Sequence, residues 1–341
     1  MKVVLSEQHR LHFPRGELFG GNMVRPFECP ERWDYIVERL RERGHDEFVE
    51  PGEVDMALVG RVHAPDFVEF LETVWHDWKS SGFEGDALPT VFPARRMQQR
   101  PPRFIDGRLG YYSMAIDSAI TAGTWQAARS AAACAIEAAR HAAADGSAFA
   151  LCRPPGHHAA RDLYGGYCYL NNAAIAAETL LVDGASRVAI LDVDFHHGNG
   201  TQDIFYERDD VLFVSLHGRP EDAFPHFLGY ADESGAGRGE GFTVNYPMAP
   251  GTTYAEWGAA LNDALKRIAN YAPDALVVSL GVDTFENDPI SFFKLTSADF
   301  TRYGEGIGKA RLPTLFVMEG GYAVAEIGVN TVNVLDGFLG A

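Results

Sequence analysis

Asp194 and His196 stand two residues apart in the run Leu191-Asp-Val-Asp-Phe-His-His-Gly-Asn199, and a further acidic residue closes the run Ser279-Leu-Gly-Val-Asp283. In extended chain, side chains at i and i+2 share one side, so this carboxylate and imidazole can reach the same ion. Asp283, at another strand end, supplies a third ligand. Three nitrogen and oxygen donors with an open position make a catalytic divalent-metal site. An isolated Asp-x-His is more often a capping aspartate beside a surface histidine; here the neighbouring motifs argue against that. His157 and His158 follow Arg153-Pro-Pro-Gly156, whose prolines fix the direction of the chain. Adjacent histidines point different ways, and each could be a ligand, an acid/base group or a satisfied buried histidine. Asp192 lies deep in its strand, where a carboxylate commonly orients a histidine. Tyr322 follows Gly320-Gly321, a pair that permits a sharp turn and so brings a phenol toward the site. Without that context it reads as a packing tyrosine. Cys152 and Cys168 read as small buried hydrophobes.

The elements that must hold these residues are short apolar runs alternating with helical stretches, the pattern of an α/β fold with a mostly parallel open sheet. Strands are expected at 147–152, 187–193, 211–216, 275–280 and 313–318. Each runs into a polar cluster: Arg153 to His158, Asp194 to Asn199, His217-Gly218, Gly281 to Asp283, and Glu319 to Tyr322. In open parallel sheets, sites form outside the carboxyl ends of the strands. Helices are expected over Thr124–His141 with Thr124 as N-cap, over Asn171–Val182 with Gly184 as stop signal, and over Tyr254–Tyr271. Residues from about 75 to 109 carry Ser80-Ser-Gly82, prolines at 89, 93, 101 and 102 and arginines at 95, 96, 100 and 103. This reads as a long irregular connection, a kind of segment that is usually functional. Its Trp75, Trp78, Phe83 and Phe92 suit an interface. The stretch from Gly229 to Gly241 reads as a surface loop. No repeat or linker divides the chain, so residues 1–341 are expected to form a single domain.

Composition narrows the partners. The 341 residues are 46% hydrophobic, enough for a substantial core, and carry a net charge of −18. That charge argues against nucleic acid or an anionic membrane and is compatible with cationic substrates. Four cysteines without a C-x-x-C pair fit a reducing compartment. The first residues lack a long apolar stretch, and no run approaches the ~18 apolar residues of a membrane span. A soluble, cytoplasmic protein is expected.

At these same residues the chain resembles the arginase/deacetylase superfamily, and within it the acetylpolyamine amidohydrolases of the histone-deacetylase-like branch. The matching pieces are R-P-P-G-H-H at 153–158, G-G-Y-C-Y-L-N-N-A at 165–173, L-D-V-D-F-H-H-G-N-G-T-Q at 191–202, S-L-H-G at 215–218, S-L-G-V-D at 279–283 and E-G-G-Y at 319–322. The resemblance implies an arginase/deacetylase-like open sheet with helices on both faces. It implies one zinc, or ferrous iron in cells, on Asp194, His196 and Asp283. His158 would be general base and then general acid, His157 its electrostatic partner oriented by Asp192, and Tyr322 the oxyanion donor. Gly166, Tyr167, Phe224 and Ile290 would line the substrate channel, with Asp106 and Asp117 near the substrate's far end. Structural potassium would sit on Asp192, Asp194, His196, Ser215 and Leu216, and a second potassium near Phe205, Arg208, Val211 and Phe242. Asn199 departs from the pattern, since many protein deacetylases carry a second histidine-orienting Asp there. Tyr167 stands where Phe is common. The 75–109 insertion resembles a dimer-forming loop.

The implied activity is hydrolysis of the acetamide of N-acetylated polyamines or diamines to acetate and free amine. A protein acetyl-lysine deacetylase would use the same chemistry. A two-manganese ureohydrolase needs further carboxylates where this chain has Gly198 and Phe285. A non-catalytic acyl-amine sensor would have no use for the intact set of His158, Tyr322 and three ligands.

Overall fold

Val188-Ala-Ile-Leu-Asp192 is buried at every position, so both faces of its pleat must be covered. The computed structural model, which describes residues 1–94 and 96–341, shows how; Arg95, among the arginines of the irregular segment, lies outside the described residues. In chain order the elements begin with β1 (Lys2–Val4), β2 (Glu17–Phe19), β3 (Asn22–Val24), α1 (Glu31–Glu42), β4 (Phe48–Val49), α2 (Met56–Val62), α3 (Pro65–Ser80), α4 (Ile105–Tyr111) and α5 (Thr124–Asp145). There follow β5 (Ser147–Ala150), α6 (Asn172–Val182), β6 (Val188–Asp192), α7 (Asn199–Phe205), β7 (Val211–Gly218) and β8 (Thr243–Met248). The chain ends with α8 (Tyr254–Tyr271), β9 (Ala275–Leu280), α9 (Ser297–Gly308), β10 (Thr314–Met318) and α10 (Ile327–Leu339).

Eight strands form one sheet in the order β4-β1-β5-β10-β9-β6-β7-β8, and every pairing in it is parallel. Alternation along the pleat sends successive side chains to opposite faces. Ala148, Ile190, Phe213, Val277 and Leu315 pack into one core with α2, α3, α5 and α6. Phe149, Leu191, Val214, Val278 and Phe316 pack into the other with α1, α8, α9 and α10. The five strands expected from the sequence are adjacent in the middle of the sheet, so their polar ends share one edge. Strand ends shift by a few residues, as with β5, which stops at Ala150. The edge strands β1, β4 and β8 and the small antiparallel pair β2–β3 went unrecognised in the sequence, being short or without an apolar run. No helix among the described residues is long and apolar enough to cross a membrane.

Two local expectations are corrected. Gly123, not Thr124, occupies the N-cap of α5. The Thr124 hydroxyl instead meets His12 Nδ1 at 2.9 Å and accepts from Thr121 N at 2.8 Å, because a buried imidazole competes for it. The irregular segment is narrower than 75–109, since α3 runs to Ser80 and α4 begins at Ile105. Trp78 is buried, stacks on Phe83 at 3.9 Å and donates its indole N–H to Gly85 O. Trp78 therefore serves the core, with Trp75 and Phe83 packed partly buried against it. The exposed apolar groups of this region are Val91, Phe92, Met97 and Phe104.

Phe316 is fully buried in the centre of the sheet. Phe316→Ala should destabilise the fold by about 3–5 kcal/mol through lost burial and a residual cavity. Val182→Ala, at the exposed end of α6, should change stability by less than ~1 kcal/mol. Urea denaturation midpoints of the two variants check this; equal shifts would contradict the described packing.

Candidate active site

β6 ends at Asp192, so the segment carrying Asp194 and His196 is a bend rather than pleated strand. The i, i+2 argument assumed extended chain, which is not the local geometry here. Val193 N still bonds Ser279 O of the neighbouring strand, but Asp194 N turns back to Asp192 Oδ1 and His196 N to Asp194 Oδ1 at 2.9 Å. Phe195 N donates to Asp283 Oδ1 at 2.7 Å, which ties the bend to the end of β9. The result points His196 Nδ1 at Asp283 Oδ2, 3.0 Å away, and at Asp194 Oδ1, 3.3 Å away. Glycines permit this approach. A Cβ on Gly281 would stand 2.0 Å from Asp194 Oδ2, and one on Gly320 would stand 2.6 Å from both Asp194 Oδ2 and Asp283 Oδ2.

One ligand atom from each of Asp194, His196 and Asp283 lies within 4.8 Å of the others, and all three residues are buried. Burial, reinforced by the charge of Asp194, pushes the Asp283 carboxyl up to about 8. Burial would also raise Asp194, but His157 and the hydrogen bond from His196 hold it well below the usual carboxylate range. Burial would lower His196; its bonds to the two carboxylates outweigh that and raise it to about 10. Two carboxylates and one imidazole at this spacing form a donor set that calls for a cation and fits a divalent ion bound by nitrogen and oxygen.

The loop after β5 brings the histidine pair alongside. Glu319 Oε2 accepts from Gly156 N at 2.6 Å and His157 N at 3.1 Å, which anchors the loop to the end of β10. His157 Nδ1 meets Asp192 Oδ2 at 2.9 Å, and His158 Nδ1 meets Asn199 Oδ1 at 2.7 Å. The two rings are in contact, yet their environments oppose. Burial would lower His157, but Asp194 and Asp192 raise it to about 10. Burial and repulsion from His157 and His196 press His158 well below its ordinary value. The two environments thus push in opposite directions, toward the protonated ring at His157 and the neutral ring at His158.

Tyr322 is buried at the turn after β10, where Gly321 has a φ of +134°. Two side chains fix that turn. Arg32 on α1 donates to Gly321 O at 2.7 Å and Glu319 O at 2.5 Å, with its guanidinium 5.1 Å from the Tyr322 ring centroid. Asp288 Oδ2 accepts from Tyr322 N at 2.7 Å and from Ala323 N at 3.2 Å. Burial pushes the phenol well above its usual pKa, so it stays a donor. Neither Arg32 nor Asp288 carried a local signal in the sequence.

A cavity of about 370 Å³ opens onto His158, His196 and Tyr322. Gly166, Tyr167, Phe224, Ile290 and Asp117 line it, as expected, and so do Glu17, Phe19 and Asp222, which the sequence did not mark. Asp106 does not line it; on α4 it accepts from Thr90 Oγ1 at 3.1 Å. Tyr167 has a φ of +66°, a conformation rare for a bulky residue and held here by its partners. Tyr167 N donates to Ser118 Oγ at 2.7 Å, its hydroxyl donates to Glu17 Oε1 at 3.1 Å, and Gly166 N donates to Asp117 Oδ1 at 2.9 Å. Burial pushes the Glu17 carboxyl up to about 7. No Lys or Arg is among the described residues lining the cavity.

The residues expected to hold potassium fall into two groups. Asp192 and Ser215 are register partners on β6 and β7, beside Asp194, His196 and Leu216. Phe205, Arg208, Val211 and Phe242 gather at the start of β7, where Phe205 O accepts from Arg208 N and Phe242 O from Phe213 N. Arg208 is also paired with Glu178 and Asp210.

The histone deacetylase domain family matches residues 26–338. The chain is 56% identical to an acetylpolyamine amidohydrolase of Mycoplana ramosa over the whole length of both, and 55% identical to acetylpolyamine amidohydrolase 2 of Pseudomonas aeruginosa over all of this chain and 99% of that one. Among solved structures, an acetylpolyamine aminohydrolase from Burkholderia pseudomallei superposes with a TM-score of 0.93 at 40% identity, covering 99% of this chain and 98% of that one. The HDA15 HD domain superposes with a TM-score of 0.83 at 28% identity, covering 99% and 89%. Matched by that family over residues 26–338 and more than half identical to deacetylating relatives along their length, the chain belongs to the histone deacetylase domain family and is a hydrolytic deacetylase.

Proposed function

We propose that this chain hydrolyses the acetamide of N-acetylated polyamines and diamines, releasing acetate and the free amine. The cavity carries the reading. Its floor joins a neutral imidazole and a phenol to the ligand triad, and its walls offer aromatic rings with Glu17, Asp117 and Asp222 but no Lys or Arg among the described residues. Such a wall favours a substrate whose tail bears ammonium groups. Relatives named acetylpolyamine amidohydrolases, similar over their full length, support the same substrate class.

Asp194, His196 and Asp283 would hold the metal, zinc or ferrous iron. Such an ion, when bound, supplies Lewis acidity that polarises an amide carbonyl and lowers the pKa of water. The chain's own groups do the rest. An amide oxygen can only accept, so by its hydrogen bonding to Asn199 Oδ1 the His158 ring carries its proton on Nδ1 and leaves Nε2 free. Nε2 takes the proton of the attacking water as the water oxygen bonds to the acetyl carbon. The Tyr322 phenol donates to the developing oxyanion, a contact of a kind worth about 3–4 kcal/mol. His158 then returns the proton to the departing nitrogen as the C–N bond breaks. The His157 imidazolium, held by Asp192, keeps its neighbour neutral until that proton arrives.

We also propose that the chain works as a homodimer in which residues 81–104, with Val91, Phe92, Met97 and Phe104 exposed, narrow the partner's entrance. Sedimentation at micromolar concentration should then give a dimer, and shortening this segment should give a monomer; an intact protein that sediments as a monomer ends the idea.

His158→Ala should lower kcat by roughly 10²–10⁴-fold while metal content by elemental analysis is unchanged. Loss of the metal would make His158 a ligand instead. Because the base works only when neutral, activity falls as pH drops through the pKa of His158. Asn199→Asp places a negative charge beside that ring and should move the acid limb of kcat/KM upward by about 1–3 pH units. An unmoved limb would remove His158 from the base role.

Comparing kcat/KM for acetylputrescine, acetylcadaverine, acetylspermidine, acetylspermine and acetyl-lysine peptides tests the substrate. The acetylated amines should be preferred; a preference for the peptides would overturn the reading. Asp117→Asn keeps an acceptor for Gly166 N and removes the charge. It should raise KM for acetylated diamines several-fold, corresponding to about 1–2 kcal/mol, and leave a neutral acetyl-amide of equal length unchanged.

A further inference from the structure

Three side chains outside the ligand triad meet beside it. His157 comes from the loop after β5, Cys168 from the turn before α6 and Glu319 from the end of β10. All three are buried, and one ligand atom of each lies within 4.8 Å of the others. Glu319 uses Oε2 on the Gly156 and His157 amides, while its Oε1 is buried without a hydrogen-bond partner. Cys168 is a free thiol that donates to Gly166 O at 3.3 Å. A nitrogen, a sulfur and a carboxylate oxygen form a donor set suited to zinc or cadmium, and one that magnesium or calcium would disfavour.

We propose that His157, Cys168 and Glu319 form a second, weaker metal site for a thiophilic divalent ion, and that filling it turns the hydrolase off. Binding replaces the Cys168 S–H bond with a sulfur–metal bond, and the thiol proton, with any proton on the ligating His157 nitrogen, goes to solvent. That displacement makes the site weaker than the triad, so it fills when metal is in excess. Inhibition follows from the shared residue. An ion on His157 draws that ring from its place between Asp192 and the His158 ring, and an ion on Glu319 pulls at the carboxylate that anchors the loop carrying both histidines. The inhibitory half rests on the proposed hydrolysis; the binding half does not.

Cadmium is the probe, because a thiolate–cadmium bond gives an ultraviolet charge-transfer band and the triad contains no sulfur. The protein holding one equivalent of zinc is titrated with cadmium. A band should grow with a second bound equivalent, and at ten times the dissociation constant activity should fall to about a tenth. Cys168→Ala and Cys168→Ser, checked for native circular dichroism, should keep basal activity with one equivalent of zinc, lose the band and resist excess metal. Cys152→Ala should retain the band. Absence of the band in the parent protein, its survival in either Cys168 variant, or undiminished inhibition of those variants overturns the site. A parent protein that binds a second cadmium with the band yet never hydrolyses an acetylated amine would refute the functional reading and leave the site standing.

Discussion

Two carboxylates, Asp194 and Asp283, are driven together at the end of a parallel sheet with no access to water. Like charges in a poorly polarisable interior repel strongly, and each must be met by hydrogen bonds and by positive charge. The surrounding structure answers that demand. Phe195 N and Gly320 N donate to them, and His196 turns its ring nitrogen toward both. Glycines at 281 and 320 let the backbones close in, since a single methyl at either would collide with a carboxylate oxygen. The bend after β6 exists because these contacts replace the strand pairing that the chain abandons at Asp192.

The same concentration of negative charge sorts the histidines. His157, between Asp192 and Asp194, is pushed toward its charged form; His158, facing an amide at Asn199, is pushed toward its neutral form by burial and by the neighbouring rings. One sequence motif thus gives two titration states from two second partners. Glu319 couples the arrangement to Tyr322, since its side chain holds the histidine loop while its own carbonyl, with that of Gly321, is held by Arg32. The phenol and the base are therefore positioned by one connected set of bonds, so a disturbance at Glu319 reaches both.

The cavity wall follows a related logic. Tyr167 keeps its left-handed backbone because Ser118, Asp117 and Glu17 hold the segment from three directions. Two of those partners are carboxylates that have no ion-pair partner among the described residues. They shape the wall and supply its acidic groups at once.

Much of this was legible from the chain alone. Apolar runs ending in Asp194, Asp283, His158 and Tyr322 announced a parallel sheet with chemistry on one edge, because strand burial and strand-end polarity are local patterns. The rest depended on contacts across hundreds of residues. Arg32 and Gly321 are 289 positions apart, and nothing near Arg32 hints at the turn it holds. Glu17 sits in a three-residue strand without periodicity. Asp106, which the resemblance places near the substrate's far end, lies on α4 beside Thr90 and outside the lining of the cavity. Trp78 looked like interface and is core, because α3 continues past the point where the composition changes. By itself the sequence determined which strands form the middle of the sheet and which candidate residues follow them. The tertiary structure alone decided which carboxylates are forced together, which histidine stays neutral and which remote side chains restrain them, because those outcomes depend on distance and burial, not on order along the chain.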